Sequence, residues 1–203
     1  MNIANQLILD TLKEVGTSGM GHAAKGLSLL LNHRVEITPP KVKQLLLEEV
    51  TDYLGSAEQV TCGVFSRLEG DLSGTVLIIY PGDTPLMLLE TWLGKQPKSL
   101  NALEELETSA LTEMSNICLG GYLTALNQLT GYTIMCTPPA LAIDMLGALI
   151  QEMLISLAEQ TDEVSLIDTE FSIKNKKIKG FFLLSFDPSS QEKLLNRLGL
   201  SKD

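Results

Sequence analysis

The sequence predicts an α+β fold in which two duplicated αβ-β-β-α units, related by a pseudo-two-fold, share one sheet covered by long helices. Three observations carry this expectation. The chain repeats itself, each copy opens with a long stretch of helical periodicity, and each continues into two strand-like runs joined by a tight turn.

The repeat comes first because it governs how every other residue is read. Residues 10–40 align without a gap on residues 109–139, an offset of 99 positions (109 minus 10). Asp10 falls on Ser109, Glu14 on Glu113, Thr17 on Asn116 and Gly21 on Gly120, and Thr38-Pro39-Pro40 falls on Thr137-Pro138-Pro139. A second block, at an offset of 106 (171 minus 65), matches Phe65 with Phe171, Gly74 with Gly180, Leu77 with Leu183 and Tyr80 with Phe186. The offsets differ by seven, so the second half holds about two more helical turns between its blocks, best placed within 141–160. The expected organisation is a single domain over 1–203, made of a repeat half 1–94 and a repeat half 98–203, with Gly94-Lys95-Gln96-Pro97-Lys98 between them.

Each half is predicted to begin with a helix, over 2–32 and 100–130, stopped by Asn32 and Gly131. Asn101 and Glu104 are spaced as a capping box for the second. Short β-rich segments, 34–38 and 132–137, follow, and the paired prolines end or bend them because proline donates no ladder hydrogen bond. Residues 58–68 and 73–80, then 163–174 and 177–186, read as strand pairs, and helices over 83–93 and 188–198 close the halves.

Composition removes several function classes. A net charge of −10 and a pI near 4.7 argue against nucleic acid, whose phosphates attract clustered lysine and arginine. No run approaches the ~20 apolar residues of a membrane span, and Met1–Asp10 lacks a secretion-signal pattern, so a cytoplasmic protein without membrane insertion is expected. Cys62, Cys118 and Cys136 have no Cys-x-x-Cys spacing and read as small buried apolar groups. His22 and His33 lack a partner pattern for zinc, and no Gly-x-Ser-x-Gly elbow, Walker loop or Gly-x-Gly-x-x-Gly turn is present.

Chemistry concentrates on one stripe of the second long helix. Ser109, Glu113, Asn116 and Gly120 fall within about 60° of one another at 3.6 residues per turn. The expected apolar face runs instead through Leu103, Leu106, Ala110, Met114, Ile117 and Ala125. A polar stripe on a long helix is ordinarily a solvated face, and that reading stands beside a functional one. Two features favour function: asparagine is a poor helix former, and the Asp/Ser-x-x-x-Glu spacing recurs in the first half with glycine at Gly21 and Gly120, which mid-helix admits a close approach at a cost of up to ~1 kcal/mol.

Ser109-x3-Glu113-x2-Asn116-x22-Pro139, with Asn116-Ile-Cys-Leu-Gly120-Gly, Pro138-Pro139 and Asp144-Met145 around it, resembles the signature of the CheC/CheX/FliY phosphatases of bacterial and archaeal chemotaxis. The resemblance covers nearly the whole chain, and its length and two halves suit the CheC type. It implies a protein aspartyl-phosphate phosphatase acting on a phosphorylated CheY-type response regulator, which brings its own Mg²⁺ and lysine; no cofactor of this chain is implied. Glu113 would pair with that lysine and Asn116 would hold the attacking water in line, with Ser109 and Pro139 completing the motif. The first copy, Asp10-x3-Glu14-x2-Thr17-x22-Pro40, departs from the pattern, since Thr17 is short, β-branched and lacks an amide. The first site is therefore expected to be weak or dead. The alternative is a non-catalytic adaptor that binds a response regulator or the CheD receptor deamidase, the latter through a helix over Leu141–Ala158 with Asp144 as the contact.

Overall fold

The computed structural model describes residues 3–95, 97–157 and 163–199. The long helices are α1 (Ile3–Leu31) and, after α2 and α3 below, α4 (Glu105–Thr130). Both end where the next residue turns left-handed, Asn32 at φ 50° and Gly131 at φ 71°. The start of α4 differs from expectation. Leu100–Ala102 forms a 3₁₀ turn with Leu100 buried, and Leu103 is extended, so the chain breaks before the helix begins. The cap is therefore Glu104, whose N–H donates to Glu107 Oε2 at 2.6 Å, rather than Asn101.

Strand β1 (Val35–Leu46) runs through Pro39-Pro40 instead of stopping there. A register shift between Thr38 and Lys41 absorbs the two missing donors. The short α2 (Leu47–Leu54) follows, and it has no counterpart among the predicted elements. Then come β2 (Val60–Gly70), β3 (Gly74–Tyr80) and α3 (Thr84–Leu93), close to expectation. After α4, the Pro138-Pro139 pair separates β4 (Ile134–Cys136) from β5 (Ala140–Met145). The helix expected from Leu141 is thus corrected: its first residues form a strand paired with β2, and α5 (Leu146–Leu157) starts later. Pairing along the edge of β2 overrides the local helical spacing. Ala158 lies outside the described residues. The chain closes with β6 (Glu163–Ile173), β7 (Lys176–Phe186) and α6 (Pro188–Arg197).

All strands join one antiparallel sheet in the order β1-β6-β7-β3-β2-β4, with β5 also on β2. The outer strand beside each hairpin comes from the other half: β1 borders β6–β7, while β4 and β5 border β2–β3. At the centre β3 pairs with β7, and Leu77 faces Leu183, the same two residues matched by the offset of 106.

Alternation along β3 sends side chains to two layers. Val76, Ile78 and Tyr80 join the core beneath α1 and α4, with Leu12, Met20, Leu111, Leu119 and Leu126. Leu77 and Ile79 face the other way, into a smaller core with Val50 of α2 and Leu149, Ile150 and Met153 of α5. The two long helices cross in close contact. A Cβ at Gly19 would lie 2.6 Å from Tyr122 Cα, and one at Gly121 would lie 2.6 Å from the Gly19 carbonyl oxygen. No helix among the described residues is long and apolar enough to cross a membrane.

Candidate active site

The buried face of α4 holds Ala110, Leu111, Met114, Ser115, Cys118, Leu119, Tyr122 and Ala125. Ser109, Glu113, Asn116 and Gly120 all lie on its exposed side. Glu113 and Asn116, three residues apart, are neighbours with Cβ atoms roughly 5–6 Å apart. Neither has a hydrogen-bond or ion-pair partner among the described residues, so a carboxylate and a carboxamide stand side by side, available to something outside the chain. Around Gly120 a Cβ would meet nothing within 4 Å, and the same is true of Gly21. The close approach inferred for these glycines is therefore not made within the chain, where Gly19 and Gly121 serve instead.

The stripe is mounted rigidly from behind. Ser115 lies between Glu113 and Asn116 in sequence but faces the core and is fully buried. Its hydroxyl donates to the Leu111 carbonyl at 2.8 Å, so the Tyr80 hydroxyl donates to Ser115 Oγ, also at 2.8 Å. This bond ties α4 to the end of β3 directly beneath the exposed pair. Burial pushes the Tyr80 phenol well above its ordinary pKa, so it remains a donor. Tyr80 and Ser115 were not among the expected site residues; a serine on an otherwise apolar helix face is the one sequence signal that marks this support.

Pro139 is half-buried at the entry to β5. The preceding Thr137 holds this turn on β2: its N–H donates to the Arg67 carbonyl at 2.9 Å, its Oγ1 accepts from the Arg67 N–H at 3.0 Å, and its carbonyl accepts from Ser66 Oγ at 2.7 Å. Beside the stripe an open groove of about 680 Å³ is lined by Trp92 and Leu93 of α3, Leu106, Ser109 and Glu113 of α4, and Leu141 of β5. Leu106 was expected in the core but is 56% exposed on this groove.

The first copy sits on α1 in the same manner, with Asp10, Glu14, Thr17 and Gly21 exposed. Thr17 turns its hydroxyl back onto its own helix, donating to the Lys13 carbonyl at 2.8 Å. Pro40 is buried, and its ring lies 3.0 Å from where a Gly16 Cβ would be. The counterparts of Ser115 and Tyr80 are Gly16 and Phe186, so this copy lacks both the amide and the hydroxyl pair that braces it. Asp144 is exposed on β5, where its carboxylate accepts from the Met145 N–H at 2.7 Å just before α5. It belongs to neither stripe. Among the described residues no three His, Cys, Asp or Glu side chains are grouped to hold a metal ion.

Comparisons with known proteins converge on one family. The profile of the CheC-like family matches residues 106–143, the stretch containing Glu113, Asn116 and Pro139. The CheY-P phosphatase CheC of Bacillus subtilis is 33% identical over 197 residues, 95% of this chain and 94% of that protein. Among solved structures, Thermotoga maritima FliY superposes with a TM-score of 0.74 at 21% identity, covering 95% of this chain and 96% of that one. CheX in the CheX-CheY-BeF3-Mg complex of Borrelia burgdorferi gives a TM-score of 0.50 at 19% identity, covering 84% and 96%.

Proposed function

This chain belongs to the CheC-like family, and from that premise we propose that it is a phosphatase for the aspartyl-phosphate of a CheY-type response regulator, working from the Glu113–Asn116 pair of α4. The B. subtilis relative is named a CheY-P phosphatase, and a structural neighbour was solved bound to CheY with BeF3 and magnesium. The observation that carries the site assignment is the exposed, unengaged carboxylate–carboxamide pair on a helix braced from behind by the Tyr80–Ser115 hydrogen bond.

The chemistry asks little of the chain. The phosphorylated partner supplies Mg²⁺ and a lysine that neutralise charge on the phosphoryl group. Glu113 pairs with that lysine and sets the register of docking. The Asn116 carboxamide accepts from and donates to one water, and it carries no charge to repel the phosphoryl oxygens. The water attacks phosphorus as the bond to the aspartyl oxygen breaks, giving a free carboxylate and inorganic phosphate that takes up the water's proton. The rate gain comes from orientation. Glu14 and Thr17 offer a carboxylate but no amide, so the first copy contributes little hydrolysis. The adaptor reading, with Asp144 contacting CheD, has no geometric feature in its favour, since Asp144 lies on an edge strand rather than on the helix supposed to present it.

The direct test follows the decay of phosphorylated receiver with and without the chain. Asn116→Ala should lower the acceleration by about 10²–10³-fold, as removal of one positioned polar group does elsewhere, while receiver affinity persists. A loss below roughly ten-fold, short of that range, would remove Asn116 from the catalytic role.

A further inference from the structure

We propose that the groove beside Glu113 receives an apolar anchor side chain of the phosphorylated receiver and thereby selects which receiver this chain acts on. The inference rests on the phosphatase reading and adds a partner contact to it.

Position comes first. Leu106 precedes Asn116 by ten residues, about 15 Å along the axis of α4. A protein seated stably on another covers about 800 Å² per side, a patch roughly 16 Å in radius. A receiver centred on Asn116 therefore overlies the groove, whereas a small phosphate ester held at Asn116 would not reach it. Ser109 and Glu113 belong both to the stripe and to the groove wall, so the two surfaces are continuous.

The chemistry of the walls specifies the occupant. Trp92, Leu93, Leu106 and Leu141 form an apolar wall, three hydroxyl side chains of α4 form the other, and Glu113 is the single charged group lining the groove. Helix α4 carries exposed Glu105 and Glu113 and no lysine or arginine, so this helix offers the groove no cation of its own. The complementary surface is an aliphatic or aromatic side chain flanked by a lysine or arginine. Isolated exposed leucines are ordinary, but this one shares a concave surface with a half-buried tryptophan. Tryptophan in such a pocket is where interface energy concentrates.

Leu106→Asp tests the assignment. Leu106 is 56% exposed, so the fold tolerates the change, and an unchanged Tm verifies it. KM for the phosphorylated receiver should rise about ten-fold or more with kcat within about two-fold of wild type, whereas Asn116→Ala lowers kcat at constant KM. Leu29→Asp, at a leucine of α1 that is 85% exposed, should change neither. Trp92 is the chain's sole tryptophan and gives a second readout. In Asn116→Ala its emission should shift on titration with a tryptophan-free receiver activated by beryllofluoride and Mg²⁺, and the shift should vanish when Leu106→Asp is added. The proposal is overturned if dephosphorylation proceeds with the KM of Leu106→Asp within about two-fold of wild type, or if saturating receiver leaves Trp92 emission unchanged. An emission shift that depends on concentration in the chain alone would assign the groove to a second copy and equally overturn it. A wild-type chain that neither binds nor accelerates decay of the receiver would overturn the phosphatase reading as well.

Discussion

Adding Thr17→Asn to a chain that already carries Asn116→Ala moves the carboxamide from one copy of the repeat to the other. The structural cost is small. Thr17 gives up one exposed hydrogen bond to the Lys13 carbonyl, and threonine and asparagine have similar helix propensities, so stability should stay within about 0.5 kcal/mol. The rest of the first copy is in place, with Glu14 exposed, open space at Gly21 and Pro40 seated against Gly16. What it lacks is the hydroxyl brace, since Gly16 and Phe186 stand where Ser115 and Tyr80 stand in the second copy. One hydrogen bond is worth about 1 kcal/mol, roughly five-fold in rate if it all bears on positioning. Starting from a loss of about 10²–10³-fold, the double variant should therefore recover about 20–200-fold, to near one-fifth of wild type. The assay is the decay of phosphorylated receiver after the phosphodonor is removed. Recovery below about three-fold at unchanged Tm, against the 20–200-fold derived from these terms, would refute the idea that the missing amide is the main difference between the copies. So would recovery that survives a further Glu14→Ala.

The glycines separate by environment. Gly19→Ala should destabilise the chain by about 1–3 kcal/mol in urea unfolding, because its Cβ meets the backbone of Tyr122. Gly21→Ala should instead stabilise by up to about 1 kcal/mol, since nothing lies within 4 Å. Gly120→Ala should raise Tm in the same way, and it should slow dephosphorylation if the proposed receiver seats over that open space. For the thiols, burial pushes Cys62 and Cys118 from 9.0 up to about 12, so a thiol reagent at about pH 8 should titrate Cys136 alone until the chain is denatured. Above pH 9.0 the unfolded thiols lose protons that the folded ones retain, so Tm should hold below that pH and fall between 9.0 and about 12. Tyr80 and Tyr122, raised by the same burial, act in the same direction.

Much of this was legible before any coordinates. The long helices and their stops at Asn32 and Gly131 followed from periodicity and from residues that tolerate a left-handed turn. The hairpins followed from apolar runs around short polar turns, and Lys174-Asn175 does turn left-handed, at φ 50° and 64°. The exposed stripe followed from spacing alone. Tertiary effects hid the rest. Leu106 has helical spacing with the core but projects into a groove built by α3 and β5. The residues from Leu141 to Met145 have helical spacing too, yet the edge of β2 claims them as a strand. α2, at eight residues, is too short to show a period. The Tyr80–Ser115 bond joins positions 35 residues apart, and only the buried serine hinted at it.

The interlaced sheet has a consequence for how the chain holds together. A lone 1–94 fragment would leave the outer edge of β2 and the whole of β1 without neighbours, and a lone 98–203 fragment would be left in the same condition at β6 and β4. Neither could satisfy this pairing except as a strand-exchanged dimer. Joining the copies in one polypeptide turns that bimolecular encounter into an internal one, with an effective concentration on the order of millimolar for a short connector. Co-expressed fragments split between the halves should therefore complement each other, reassembling across the Leu77–Leu183 seam and the glycine crossing of α1 and α4. The chain could then serve as a split reporter whose output is the proposed dephosphorylation itself.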